Sequence, residues 1–250
     1  MSVLRWVVGA ALLTLLLVAK DIPAKVAGDF LSQRISGLML KGVAGTFWQG
    51  RAGSARYVWQ GNVYALGELR WNIEPLSLFS LNPCAKVSTS LGKQQTSGKV
   101  CVDWQGTIDI SDANISGPAA LAELWLPIQV AGSLSAQVVE LQLQENQLSS
   151  LQANVSWQDA RFHNSHDWLA LGSYAARLQE DGQGGVKADV FDLQGPLKIK
   201  LKASLPRNAS PSTTGTLRLL EGAPPEIGQV LTAFGFTQSG GEYQLNWPGA

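Results

Sequence analysis

The sequence has few of the side chains that perform most enzyme chemistry. Of 250 residues only two are histidine, and charged residues make up 15%, against about 25% in average soluble domains. Both histidines, His163 and His166, lie in a turn-forming stretch beside Asp167, which favours a solvated loop over a metal or catalytic site. The serine hydrolase motif GxSxG and the phosphate loop GxxxxGK do not occur. We therefore expect no enzyme activity, no metal and no cofactor.

Neither positive nor negative charges are in excess. Lysine and arginine together number 19, as do aspartate and glutamate, so the formal net charge is zero. These charges are spread along the chain and form no basic footprint for nucleic acid. One lysine stripe, Lys198, Lys200 and Lys202, could meet an anionic membrane or an acidic partner, but such stripes are more often the solvated face of a strand. We predict no nucleic-acid partner.

The amino terminus contains the one long hydrophobic run. No charged residue occurs from Trp6 to Ala19, and the run counted from Val3 to Ala19 holds 17 residues, about 25 Å of helix, which is near the minimum that spans a bilayer. Bulky Leu17 precedes the best cleavage site, after Ala19, which favours an uncleaved anchor over a cleaved signal peptide. Arg5 directly precedes this run, and positive charges favour the cytoplasmic side of a membrane segment, so the remaining chain is expected outside the cytoplasm. We expect a membrane anchor, with the bulk of the chain periplasmic or extracellular.

The two cysteines, Cys84 and Cys101, agree with export. An oxidising compartment allows an even pair to form a disulfide. Sixteen residues separate them, and closing a loop of this size stabilises a fold by about 3 kcal/mol. Two unrelated buried thiols are the alternative. Because no further cysteine exists and the spacing is not CxxC, metal binding is disfavoured.

Alternating apolar and polar residues predict many strands. The alternation is clearest in Leu197–Leu205 and is also present in LRWNIE, residues 69–74, and LQANVSWQ, residues 151–158. At Val138 and Val139 the apolar phase switches, which indicates a β-bulge. Further strands are predicted at Ala55–Gln60, Lys86–Ser90, Lys99–Trp104, Thr107–Ser111, Ser133–Gln144, Ser173–Gln179, Val186–Leu193, Gly215–Leu220 and Glu242–Trp247.

Few helices are expected after the anchor. Ser116–Trp125 and Pro224–Phe236 have helical spacing or helix-favouring composition, and Leu205–Gly215 is predicted to be an exposed loop. Because each predicted strand has one apolar face, we expect a large curved antiparallel sheet with the form of an open barrel or a sandwich. The apolar face of this sheet must be covered. The sheet could curl on itself, pack on a second sheet, or hold a ligand or partner.

Trp-Gln-Gly occurs at Trp48, Trp59 and Trp104. The first two copies are 11 residues apart, and Trp71 follows at 12, a spacing that fits one strand plus one turn. We therefore interpret Gly45–Gly61 as a hairpin and not as a paired binding site.

Several stretches together resemble protein N of the bacterial type II (general) secretion pathway. The most specific are GTFWQGRAG, residues 45–53, and WNIEP, residues 71–75, and the ending LTAFGFTQSGGEYQLNWPG, residues 231–249, is also similar. The residues that carry this resemblance are Gly45, Thr46, Trp48, Gly50, Gly53, Trp71 and Pro75.

The resemblance implies a non-enzymatic inner-membrane protein with a periplasmic β domain, which works with other components of the secretion system. It implies three segments: an anchor or signal sequence at 1–20, a connecting segment at 21–44 and a periplasmic β domain at 45–250. The family also resembles AsmA-like periplasmic β modules, whose apolar grooves are associated with lipid handling. A lipid ligand is therefore the alternative expectation.

Overall fold

The computed structural model describes residues 6–7, 20–124, 128–164, 167–233 and 235–248. These residues form two compact units, residues 1–104 and 105–250. Both units are built mainly of strands, and every strand pair within each is antiparallel. The predicted mainly β, antiparallel fold is confirmed.

In the part of the first unit that the structure describes, the helix Ala24–Arg34 is followed by five strands that pair in chain order. Among its described residues no pairing joins the first strand to the fifth, so the sheet is open. The 3-10 helix Pro75–Leu78 interrupts the connection between the third and fourth strands. The elements are α1 (Ala24–Arg34), β1 (Leu38–Gly45), β2 (Gln49–Trp59), β3 (Asn62–Glu74), β4 (Cys84–Leu91) and β5 (Gln94–Val102).

The described residues of the second unit form nine strands and one α-helix. Its strands pair in chain order except the last two, which are exchanged, so that β14 lies between β12 and β13. The elements are β6 (Ile108–Pro118), β7 (Val130–Gln144), β8 (Gln147–His163), β9 (Trp168–Glu180), β10 (Val186–Gln194), β11 (Leu197–Leu205), β12 (Ser212–Leu219), α2 (Glu226–Ala233), β13 (Thr237–Ser239) and β14 (Glu242–Pro248).

The core of the first unit lies between α1 and the apolar face of the sheet. Ala24 and Ala27 of α1 pack with buried residues of β2 and β3, among them Ala55, Leu69 and Trp71. Small residues on α1 let the helix lie close to the strands, because large side chains there would hold the backbones apart. The helix thus covers one part of the apolar face that the alternation predicts.

The core of the second unit lies under α2. Ile227 and Leu231, on one face of this helix, pack against Leu197 of β11, Leu217 of β12 and Tyr243 of β14. Ile227 is 1% exposed and is the largest fully buried side chain among the described residues. A short helix therefore shields strand faces in this unit as well.

The predicted strands are confirmed, including their facing. In β11 the lysines Lys198, Lys200 and Lys202 are exposed, while Leu197 is buried. Since β11 pairs with both β10 and β12, the lysine stripe lies on the solvent-exposed face of an interior strand. The predicted bulge is also confirmed, because the register between β7 and β8 shifts between Val138 and Glu140.

Three details of the predicted secondary structure are corrected. The helix expected at Ser116–Trp125 is instead the end of β6 followed by the 3-10 helix Ala119–Leu124, because β6 keeps pairing with β7 as far as Pro118. The loop expected at Leu205–Gly215 is shorter, because residues from Ser212 pair with β11 and β14. Residues 21–44, expected to be a connection, contain α1 and β1.

The predicted anchor lies almost entirely outside the described residues. Only Trp6, Val7 and Lys20 at its margins are described. Among the residues that the structure describes, no helix is long and apolar enough to cross a membrane. The anchor therefore remains a prediction from sequence.

Candidate functional sites

Three residues of the family motif, Gly45, Thr46 and Trp48, lie at the turn between β1 and β2. Gly45 ends β1 with φ +101°, in the left-handed region that glycine adopts without steric cost. The backbone N–H of Gln49 donates to Thr46 Oγ1 over 3.1 Å, which closes the turn. The sequence thus folds into a tight hairpin here because it supplies a glycine and a hydroxyl acceptor where the chain reverses.

Trp71 joins this turn to β3. Its indole Nε1 donates to the carbonyl oxygen of Phe47 over 3.0 Å, and the ring lies against Gly50, where an added Cβ would come within 2.2 Å of the ring atom Cζ2. The side chain is 5% exposed. The backbone N–H of Ile73 also donates to the carbonyl oxygen of Trp48, over 2.7 Å. Gly45, Thr46, Trp48, Gly50 and Trp71 therefore form one packed structural unit.

The other two motif residues lie apart from this unit. Gly53 is in β2, and a Cβ there would meet only backbone oxygens, at 3.9 Å or more. Pro75 is exposed and opens the 3-10 helix after β3, a position where its missing N–H costs nothing. A functional role of the seven motif residues remains a prediction, while the structural role of Gly45, Thr46, Trp48, Gly50 and Trp71 is visible at the β1–β2 turn.

The structure brings Cys84 and Cys101 together as a disulfide, with an S–S distance of 2.06 Å. The two residues are directly opposite each other in β4 and β5. Of the two possibilities left open by the sequence, paired or separate thiols, the paired one is present.

A small polar shelf lies beside the motif turn. It is an open depression of about 550 Å³ lined by backbone and polar side chains, including Gln49, Arg51, Arg70 and Asn72. Arg70 forms an exposed ion pair with Glu68, Nε to Oε1 at 2.9 Å, and this pair lowers the pKa of the Glu68 carboxyl through the hydrogen bond and the charge of Arg70. Exposed pairs of this kind contribute little to stability, and the shelf has no enclosed volume in which a small ligand would be desolvated.

The second unit contains a partly open apolar cavity of about 310 Å³ between its strands and α2. The strand side of the cavity includes Trp157, Leu169 and Leu217, and α2 contributes Ile227 and Leu231. Every residue that lines it is aliphatic or aromatic. The cavity can therefore hold an apolar group but offers no ionised side chain to orient a polar one.

Tyr174 contributes the only side-chain hydroxyl group among the lining residues. Its hydroxyl donates to the carbonyl oxygen of Leu171. Burial, together with the negative charge of Asp192, raises the pKa of Tyr174 well above its ordinary value. The hydroxyl thus stays protonated and hydrogen-bonded, which makes it a poor general base at neutral pH.

The histidines and carboxylates in the described part of the chain do not gather into a metal-binding cluster. There, no set of three or more His, Cys, Asp or Glu side chains is placed to hold a metal ion. His163 ends β8 with its ring 5.1 Å from that of Trp168, centroid to centroid, in an edge-to-face contact, and His166 lies outside the described residues.

The cavity was not predicted as a site from the sequence. Strand alternation identified most of its wall residues as apolar, but it could not place α2 over them. The signal that could have found the cavity is the helical spacing of Ile227, Val230 and Leu231, which marks a helix with one apolar face to bury.

Comparison with known proteins gives the family. A family model described as type II secretion system (T2SS), protein N, matches residues 36–246. The chain belongs to this family. The matched range contains both GTFWQGRAG and WNIEP, so the resemblance drawn from those stretches is confirmed.

Relatives within the protein N family are similar to the chain over different lengths. Type II secretion system protein N of Vibrio cholerae is 32% identical over 163 residues, which is 62% of this chain and 62% of the relative. The chain thus spans less than two thirds of that relative in the match. The proteins of the same name from Aeromonas hydrophila and Pectobacterium carotovorum are 26% and 23% identical, over 85% and 86% of this chain and 84% of each relative. No solved structure matches the chain.

Proposed function

We propose that the protein is a non-enzymatic accessory component of the type II secretion system and supports the export of folded proteins across the outer membrane. The observation that carries this proposal is the protein N family match over residues 36–246. The described residues are consistent with it, because they form packed sheets and contain no group of three or more His, Cys, Asp or Glu side chains that could hold a metal ion. The protein acts by holding or positioning other components.

The proposed location is the bacterial inner membrane, with the bulk of the chain in the periplasm. Residues 3–19 are the single-pass anchor, supported by their uncharged composition from Trp6 onward. The Cys84–Cys101 disulfide supports an oxidising compartment for the first unit. Membrane attachment keeps the β units close to the inner-membrane part of the secretion system.

The proposed partners are other inner-membrane and periplasmic components of the secretion system. Strand β1 supports this, because in the described chain no strand pairs along its outer edge. An extended segment of a partner can add to such an edge through main-chain hydrogen bonds. The partner surface on this account is a backbone edge and not a charged patch.

Copurification tests this proposal. The full chain, tagged at its carboxyl end, is isolated from gently solubilised envelopes of cells that produce the whole secretion system. The matched control is residues 1–20 joined to an unrelated periplasmic domain, which shares the anchor alone. We expect secretion components with the full chain and not with the control. Equal recovery with both, or none with either, would contradict the proposal.

The apolar cavity favours a second candidate function, binding of an apolar ligand such as a lipid acyl chain. An engineered apolar cavity of about 150 Å³ in another protein stays dry and binds benzene, and this cavity has about 310 Å³. An empty cavity forfeits packing contacts of its walls. An acyl chain would restore those contacts without needing a polar partner.

Mass spectrometry tests this second candidate. The full chain is extracted in native membrane discs and examined for retained lipid. In the variant Ile199→Trp a larger side chain fills the cavity, since Ile199 is one of its wall residues, while the control Lys200→Gln changes the exposed face of the same strand. We expect lipid to be retained by the native chain and the control and lost from the filled variant. Equal lipid in all three would show that the cavity is not the binding site.

A further inference from the structure

The connection between β3 and β4 holds a cluster of large apolar side chains out in solvent. Leu76 is 80% exposed, Phe79 85% and Leu81 65%. Residues 75–85 contain no charged side chain. Trp104, which follows β5, is 76% exposed. We call residues 75–83 together with Trp104 the apolar tip. The backbone N–H of Val102 donates to the carbonyl oxygen of Pro83 over 3.0 Å, so Trp104 follows β5 at the end of the sheet where the loop lies. Soluble monomers rarely leave so many large apolar side chains uncovered in one region, so the apolar tip marks a contact surface.

The loop of the apolar tip has a defined shape. Ser77 lies at its centre: its hydroxyl donates to the carbonyl oxygen of Glu74 over 2.6 Å and accepts the backbone N–H of Cys84 over 2.8 Å. The Cys84–Cys101 disulfide ties the end of the loop to β5, and Leu81 adopts φ +55°, which is uncommon for a residue other than glycine. These constraints hold the apolar side chains outward instead of letting the loop fold back onto the sheet.

Contacts within the first unit place the apolar tip beside the point where the chain leaves for the predicted anchor. The backbone N–H of Phe47 donates to the carbonyl oxygen of Ile22 over 2.7 Å, and that of Ile73 donates to the carbonyl oxygen of Trp48 over 2.7 Å. Pro75 begins the loop two residues after Ile73. Ile22, the β1–β2 turn and the start of the loop therefore lie at the same end of the sheet.

This end of the sheet is close to the membrane if residues 3–19 span it. Only Lys20 and Asp21 separate Ala19 from Ile22, and the three residue steps between them reach about 10 Å at most. The other end of the sheet, with the β4–β5 turn at Gly92 and Lys93, is separated from it by the length of the strands. The apolar tip therefore faces the bilayer that holds the anchor, and the exposed tryptophan has the amphipathic character found at membrane interfaces.

We propose that the apolar tip inserts into the interfacial layer of the membrane that holds the anchor. This inference rests on the proposed anchoring of residues 3–19. Leu76, Phe79 and Leu81 bury apolar surface among the lipids, which is the interaction that determines interfacial binding. Two attachments, the anchor and the apolar tip, fix the orientation of the first unit on the membrane and leave the β1 edge available to partners.

Lipid-dependent fluorescence quenching tests the proposal. The full chain is reconstituted into vesicles of phosphatidylethanolamine and phosphatidylglycerol that contain lipids with a nitroxide near the headgroup. An environment-sensitive dye is attached through Ser80→Cys in the apolar tip or, as the matched control, through Lys93→Cys at the opposite end of the same sheet. We expect a blue-shifted emission and several-fold stronger quenching at position 80 than at position 93.

Two further measurements separate the possible outcomes. Flotation of both labelled chains with the vesicles reports the anchor, so failure to float contradicts the anchoring and with it this inference. Flotation with equal quenching at positions 80 and 93 overturns the apolar tip alone. A blue shift at position 80 that needs other secretion components, without lipid quenching, identifies a protein partner and also overturns it.

The double variant Leu76→Ser, Phe79→Ser should abolish the quenching at position 80, whereas Leu91→Ser at the opposite end should not.

Discussion

Two tryptophans join neighbouring parts of the chain by the same means. Trp71 Nε1 donates to the carbonyl oxygen of Phe47, and Trp157 Nε1 donates to that of Ala131, each over 3.0 Å. An indole has one donor, so bonding it to a backbone carbonyl satisfies its polar atom while the ring packs among apolar groups. Each tryptophan thus links two separate segments of its unit. The packing of the Trp71 ring explains why the motif has a glycine at position 50.

Gly50→Ala should destabilise the first unit. The added Cβ would lie 2.2 Å from the Trp71 ring, so the ring must move from its packed position, which typically costs about 1–3 kcal/mol. The matched control is Gly53→Ala in the same strand, where the nearest atom is 3.9 Å away. Thermal unfolding of the full chain in detergent measures both. Equal melting temperatures for the two variants would show that the Trp71 contact does not constrain the turn.

Asp192 should make stability depend on pH. Its Oδ2 accepts a hydrogen bond from Lys198 Nζ over 2.7 Å, and its Oδ1 accepts the backbone N–H of Ile199 over 2.9 Å. Although burial opposes ionisation, these hydrogen bonds and the charge of Lys198 hold the pKa of Asp192 below its ordinary value. The carboxylate therefore stabilises the fold above its ordinary pKa, about 3.9, and this contribution is lost as pH falls through the folded-state pKa.

The variant Asp192→Asn tests this dependence. It should lower the melting temperature at pH 7 by about 2–4 °C, corresponding to about 1 kcal/mol, and the difference from the native chain should shrink below about pH 4. Asp189→Asn, on the exposed face of the same strand, is the control for removing a carboxylate from β10. A deficit that stays constant from pH 7 to pH 3 would contradict the assigned role of the charge.

At the residue scale, the sequence predicted which cysteines pair, but it did not predict which side chains pack against each other. Cysteine count and compartment were enough to expect the Cys84–Cys101 bond, because only one pairing is possible. The motif GTFWQGRAG identified the family but gave no reason for Gly50. That reason is the Trp71 ring, which is 21 positions away along the chain and reaches Gly50 only once β2 and β3 pair.

Among the elements, the disulfide hairpin of β4 and β5 should contribute measurably to stability. Cys84→Ser removes a cross-link whose loop closure is worth about 3 kcal/mol, so we expect a lower melting temperature for the full chain with the fold retained. Treatment of the native chain with reductant should produce a similar decrease and should have no further effect on the variant. An unchanged melting temperature in the variant would mean that the cross-link does not limit unfolding.

Strands were predictable where one face is apolar, and helices much less so. The alternation in Leu197–Leu205 depends only on local sequence, and that strand is present with the predicted facing. Helix α1 was missed because its buried side is made of Ala24, Ala27 and Gly28, which carry little hydrophobic signal. Small residues reveal such a helix only through the sheet on which it packs.

At the scale of the whole molecule, two units that each have a helix-covered core agree with a binding or positioning role. The first unit carries the motif turn, the disulfide and the apolar tip. The second carries the apolar cavity. The division at residues 104 and 105 was not visible in the sequence, because strand patterning continues across it without a linker rich in proline, glycine or serine.

The central claim is that the protein supports type II secretion without performing catalysis. The most direct measurement is the fraction of a known type II substrate released into the medium by cells that lack the gene, compared with the same cells supplied with the native chain. We predict that the substrate accumulates inside the deletion cells and that the native chain restores release. Full release of type II substrates from the deletion cells would contradict the account.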